Sequence, residues 1–226
     1  QFTSSVNQYT VTWKNYDGTI LETDSDVEYG TTPSYDGTTP VKQATAQYTF
    51  TFKGWDKTIS SVTSDVVYTA TYNSTVNSYS VIWKNYDGTI LETDSDVEYG
   101  TAPNYDGSTP EKAGNAQYNY TFAGWNPSVA NVTGDVIYVA KFNENTNQYT
   151  VTFKNYDGTV LYTTTVDYGT AAVYSSTTPQ RADADNKSYT FDKWDKQYDN
   201  IVNDIEVNAL YTIYDVYTFV YKDGSE

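Results

Sequence analysis

Lys14 to Thr31 reads KNYDGTILETDSDVEYGT, and the same eighteen letters return at Lys84 to Thr101, seventy residues further on. A divergent third version, KNYDGTVLYTTTVDYGT, runs from Lys154 to Thr170. A fixed period of this length marks one folding unit copied in tandem. Immediately before the block, Tyr9, Val11 and Trp13 alternate with Thr10, Thr12 and Lys14, which is the period of a strand with one buried face. Asp17-Gly18 supplies a tight turn, because both residue types tolerate positive φ. Ile20 to Tyr29 then returns as a second strand, so the block is a β-hairpin.

The hairpin carries a length difference between copies. Leu21 to Val27 spans one residue more than Leu161 to Val166. A one-residue change reverses the face of every side chain beyond it, so the first two copies are expected to absorb the extra residue of Thr23-Asp24-Ser25-Asp26 as a β-bulge or local break.

Working outward, Tyr9, Tyr79 and Tyr149 open the copies, and Trp55, Trp125 and Trp194 stand late in them. Tyr72, Phe142 and Tyr211 close them. After the hairpin comes a crossover with Tyr35 to Pro40, echoed by Tyr105 to Pro110 and Tyr174 to Pro179. Thr39-Pro40 reads as an N-cap followed by proline at the first helical position, and predicts one or two helical turns over Val41 to Gln47. A third strand alternates Tyr48, Phe50 and Phe52 with Thr49, Thr51 and Lys53. The fourth places Val66, Tyr68, Ala70 and Tyr72 on one face, and its repeated alanine predicts a tight point in the core. The expected fold is mainly β: tandem units of four strands with a crossover containing at most a short helix.

The boundaries expected are 9–78, 79–148 and 149–216, each with a short polar linker such as Asn73 to Ser78 or Asn143 to Gln148. Residues 1–8 read as the tail of a preceding repeat. Residues 217–226 read as the start of a truncated fourth. The chain is therefore expected to be a segment of a longer array.

Composition narrows the function classes. The net charge is −16 and no copy is basic, which opposes nucleic acid and anionic lipid, whose phosphates require Lys and Arg. No stretch is long and apolar enough for membrane insertion as a helix. Cys, His and Met are all absent, so disulfides, soft or imidazole metal sites and the common hydrolytic triads are not available. Neither an enzyme nor a cofactor site is expected.

The elements Tyr-Thr-Val-Thr-Phe, Tyr-Asp-Gly-Thr, Val-x-Tyr-Gly, Gly-Trp-Asp and Val-Thr-Ser-Asp-Val resemble the Listeria–Bacteroides repeat family, the B-repeat type of internalins. Departures are Lys193 in place of Gly54 and Gly124, and Phe153 in place of Trp13. The resemblance implies a small ubiquitin-like β-grasp unit used in tandem on bacterial cell-surface proteins.

Candidate sites are few. Asp24 and Asp26, with Asp94 and Asp96, present oxygen ligands that suit Ca²⁺. The third copy replaces them with Thr163-Thr164-Thr165, and an acidic edge that discourages strand pairing explains them better. Lys14, Lys84 and Lys154 beside Asn15, Asn85 and Asn155 suggest isopeptide cross-links, but neighbours on one strand point apart and cannot react. Trp55, Trp125 and Trp194 suit a core as well as a sugar platform. Tyr16, Tyr86 and Tyr156, beside the turn, are the candidate exposed binding aromatics. The sequence is read as a non-catalytic spacer or stalk segment of an extracellular bacterial surface protein, whose partners are its neighbouring repeats. The competing readings are a multivalent binder of a host surface protein or glycan, and a self-assembling filament segment.

Overall fold

The computed structural model describes residues 4–219; most of the first expected tail lies within them, but residues 220–226 of the expected fourth repeat lie outside. Each copy forms one four-stranded sheet. Repeat 1 holds β1 (Gln8–Lys14), β2 (Ile20–Glu28), β3 (Tyr48–Trp55) and β4 (Val66–Val76) in the order β2-β1-β4-β3. Repeat 2 holds β5 (Ser78–Lys84), β6 (Ile90–Glu98), β7 (Tyr118–Asn126) and β8 (Val136–Thr146). Repeat 3 holds β9 (Gln148–Lys154), β10 (Val160–Asp167), β11 (Lys187–Trp194) and β12 (Ile205–Asp215), both in the same order as repeat 1. The described residues gather into two compact units: those up to Ser108 with Trp125–Ala140, and Thr109–Gly124 with those from Lys141 on. The outer pairs are antiparallel, and the central β1–β4 pair is parallel, Val11 to Lys14 lying against Val66 to Thr69. This is the mixed sheet of a β-grasp-like unit.

The hairpin forms as the sequence dictates. Gly18 has φ +89°, its N–H donates to Asn15 O at 2.9 Å, and Thr19 N–H donates to the Asp17 carboxylate at 3.0 Å. That bond, with the Thr19 hydroxyl second, holds the Asp17 carboxyl below its ordinary range, and Asp87 and Asp157 behave alike. A depressed folded value means the stabilisation is present above the unfolded pKa and is lost as pH falls through the lower folded one. We therefore expect carboxyl-carbon NMR titration to give these three aspartates midpoints below that of an unstructured Asp, and Asp17→Asn to remove its share of the acid sensitivity. Midpoints at the ordinary value would contradict this.

The bulge falls where the residue count placed it. Tyr9 pairs with Val27 but Val11 with Asp24, so Thr10 faces both Ser25 and Asp26, and Asp26 takes φ +60°. Repeat 2 repeats this at Asp96, whereas β9 and β10 pair without interruption from Tyr162 to Asp167.

No helix occurs among the described residues, so the helical turn expected over Val41 to Gln47 does not form. The crossover is extended and pinned at two points instead. Pro40, Pro110 and Pro179 are buried. Two residues after Pro40, the Lys42 ammonium lies between the rings of Tyr16 (4.7 Å) and Phe50 (4.0 Å), and Arg181 likewise lies between Tyr156 (4.3 Å) and Tyr189 (3.7 Å). Such cation–π contacts, each about 0.5–1 kcal/mol where exposed, favour this path over a seven-residue helix that could not stand alone.

Trp13, Val11, Tyr68 and Val62 form the buried core of repeat 1, and Trp83, Val81, Tyr138 and Val132 that of repeat 2. Trp13 stacks on Tyr68 with ring centroids 4.6 Å apart and planes 21° apart. Ala70, 3% exposed, stands directly across the ladder from Trp55, and Ala209 from Trp194. A small residue opposite a large one fills the layer, which accounts for the invariant alanine. Gly54 takes φ +132°, but Lys193 at the same place adopts no positive φ, so that substitution carries no strain.

Repeat 3 fills the same space differently. Phe153 stands for Trp13, and the register places Val207 where Tyr68 was and Tyr162 where Glu22 was. The lost volume is supplied from other directions. Tyr198 packs edge-on to Phe153 at 5.3 Å and Tyr162 approaches it at 6.2 Å.

Candidate functional site

The acidic positions on the second strand have structural duties. Asp24 Oδ2 accepts the indole N–H of the fully buried Trp13 at 3.0 Å, and Asp94 accepts that of Trp83 at 2.8 Å. Asp26 and Asp96 occupy the bulges and are exposed. No group of three or more metal-ligating side chains occurs among the described residues. The third repeat has neither member of the indole pair: Phe153 has no N–H to donate, and Thr164 stands where Asp24 stood. The acid and the indole change together because a half-buried carboxylate without its donor would be poorly solvated. In a double-mutant cycle of Trp13→Phe and Asp24→Thr, we expect a coupling of about 1–2 kcal/mol by urea denaturation. Additive losses would show that the pair does not interact.

Glu22 was not singled out by the sequence, yet its carboxylate accepts the N–H groups of Asp36 at 3.0 Å and Gly37 at 2.9 Å, tying the crossover to the hairpin. Burial, with the Glu22 charge second, raises the Tyr35 phenol above its usual value, and that hydroxyl donates to Thr38 O at 2.8 Å. Asp65, Asp135 and Asp204 were also missed. Each accepts the N–H one residue before the parallel ladder, from Thr10, Ser80 and Thr150 at 2.7–2.8 Å, so each extends that ladder by one bond. The signal was an aspartate directly before the fourth strand in all three copies.

The hairpin-tip tyrosines are exposed: Tyr16 by 47%, Tyr86 by 48% and Tyr156 by 48%. Tyr16 packs edge-on against Tyr72 at 5.8 Å, and Tyr156 against Tyr211 at 5.9 Å. Asn15 Oδ1 accepts both the Tyr16 N–H at 2.9 Å and the Tyr72 hydroxyl at 2.6 Å. With a crossover cation over Tyr16 and Tyr156, these rings are already seats for the protein's own side chains. Lys14 and Asn15 do not bond one another. Lys154 instead meets Glu206 at 2.6 Å.

At each junction between repeats, polar contacts gather on a single asparagine. The residues read as linker, Asn73 to Ser78, are strand on both sides of Asn77: β4 runs to Val76 in register with β3, and β5 begins at Ser78. Asn77 Nδ2 donates to Thr45 O (2.8 Å) and Ala46 O (2.9 Å), its Oδ1 accepts the Thr49 hydroxyl (2.7 Å), and its N–H donates to Gln47 O (2.9 Å). Its own carbonyl accepts the Tyr99 N–H of the next repeat at 2.9 Å, while the Tyr79 hydroxyl reaches back to Ala46 O at 2.5 Å. Asn147 does the same: its Nδ2 donates to Asn115 O and Ala116 O, its Oδ1 accepts from Asn119 Nδ2, and its carbonyl accepts from Tyr168 N–H. Tyr149 again reaches back, to Ala116 O at 2.6 Å.

No family model matches the chain. No curated protein matches it either. The resemblance to the Listeria–Bacteroides repeats therefore rests on the motifs alone. Among solved structures the chain is similar to "Streptococcal High Identity Repeats in Tandem (SHIRT) domains 3-4 from cell surface protein", at 17% identity over 62% of this chain and 99% of that one, with a TM-score of 0.32. A likeness at that level defines neither the fold nor the function of this chain.

Proposed function

We propose that the chain is a non-catalytic spacer, a stalk segment of an extracellular bacterial surface protein. The observation that carries the reading is the one-residue junction. A flexible tether between independent binding heads needs a run of unpaired polar residues. Here a single asparagine uses its amide, carbonyl and carboxamide, and the same arrangement stands at both Asn77 and Asn147. Acidic composition and the resemblance to surface repeats support the location. Tyr16 and Tyr156, seated against the protein's own cations, favour a spacer over a ligand platform.

The absence of native cysteine makes the test direct. Spin labels at Thr23→Cys and Thr93→Cys, both exposed on the outer strands, should give one narrow distance distribution between repeats 1 and 2. Asn77→Gly should broaden it while each repeat stays folded, at a cost of about 1–2 kcal/mol. A broad distribution in the unaltered protein would overturn the reading. So would a glycan or host-protein array hit abolished by Tyr16→Ala and Tyr156→Ala, which would favour the multivalent binder.

A further inference from the structure

We propose that repeat 3 carries a binding site for a neutral saccharide, in the concavity formed where β11 runs into the loop that follows it. The concavity has a volume of about 580 Å³ and is lined by Trp194, Tyr198, Asp192, Lys193, Gln197 and Asp199. That size lies within the roughly 300–1,000 Å³ of small-ligand clefts. The proposal is independent of the spacer reading.

The lining is peculiar to this repeat. Counting from the shared tryptophan, repeat 1 places Lys53, Gly54, Thr58, Ile59 and Ser60 where repeat 3 has Asp192, Lys193, Gln197, Tyr198 and Asp199. Five side chains of the lining thus change around Trp194, whereas Phe191 and Lys196 keep the Phe52 and Lys57 of repeat 1. Tyr198 serves the core with its ring, against Phe153, but its hydroxyl is not needed for packing.

These groups are uncommitted. No hydrogen bond or ion pair with the described residues engages the side chains of Asp192, Lys193, Gln197 or Asp199, the Trp194 indole N–H or the Tyr198 hydroxyl. Among the described residues no buried side-chain nitrogen or oxygen lacks a partner, so the unpaired ones are open to solvent. They include acceptors only (Asp192, Asp199), donors only (Lys193, the indole) and groups that do both (Gln197, Tyr198). Vicinal hydroxyls, which donate and accept together, match that mixture, and the partly exposed aromatic rings offer an apolar surface to the C–H face of a sugar.

Charge selects among ligands. The walls carry two carboxylates, Asp192 and Asp199, and two ammonium groups, Lys193 and Lys196, the latter fixed by donating to Glu206 O at 2.8 Å. The concavity is therefore neutral on a chain of net charge −16. It has no excess of either sign with which to select a cationic peptide or a sialylated or sulfated glycan.

The test titrates the whole chain with glucose, galactose, N-acetylglucosamine, lactose and maltose, following indole and carboxamide N–H signals by NMR. At least one sugar should shift the Trp194 indole and Gln197 carboxamide signals saturably, leaving the Trp55 and Trp125 indoles unmoved. Asp192→Ala with Gln197→Ala, both exposed positions, should weaken that binding about tenfold or more at unchanged melting temperature. The proposal is overturned if no sugar moves the Trp194 signal, if all three indoles shift alike, or if the double variant binds as well as the parent.

Discussion

Trp13→Ala is expected to unfold the first repeat while leaving the third intact. Trp13 is fully buried and touches Tyr35, Trp55 and Tyr68 with ring centroids 4.6–5.7 Å apart. Removing such a ring costs about 3–5 kcal/mol. A unit of this size has a total stability of only about 4–10 kcal/mol, so one substitution removes much of it. The carboxylate of Asp24 also loses its indole donor, which adds to the loss. Hydrogen exchange read by mass spectrometry should show Gln8–Val76 losing protection while Gln148–Asp215 retains it. Retained protection in β1 and β4 would show that the core does not depend on this ring.

Tyr68→Val should cost nearly as much, about 3 kcal/mol, and should be partly recovered by adding Ile59→Tyr and Glu22→Tyr, the second of which gives up the Glu22 bonds to Asp36 and Gly37. The chain itself supplies the reason: repeat 3 has valine at this place and fills the space with Tyr198 and Tyr162. The reverse change, Val207→Tyr, adds a ring to a space already filled and should cost about 1–3 kcal/mol by overpacking. Urea midpoints of the single and triple variants check this. A triple variant less stable than Tyr68→Val alone would mean the two packings are not exchangeable.

Alternation around Trp13, the turn at Asp17-Gly18 and the extra residue before Val27 are local, and each fixed its piece of structure. The partnership of Trp13 with Asp24 was not local, because it depends on a cross-strand register that the bulge itself shifts. Asp24 therefore read as a metal candidate. Thr39-Pro40 carried a helix-start signal, but burial of Pro40 and the seating of Lys42 between two rings decided the crossover's path, and both belong to tertiary contacts. Asn73 to Ser78 looked like linker because its composition is polar; pairing with β3 outweighs composition there. Tyr16 and Tyr156 were legible as exposed, but the cations that occupy them lie more than twenty residues away in sequence.

The central parallel pair has a mechanical consequence. β1 and β4 run in the same direction, so the point where a repeat is entered and the point where it is left are at opposite ends of that pair. Tension applied through the backbone would slide Val11–Lys14 against Val66–Thr69 lengthwise, straining the whole ladder and the Asp65–Thr10 bond together instead of opening them one by one like a zip. A pulled repeat would yield only when that entire row gave way.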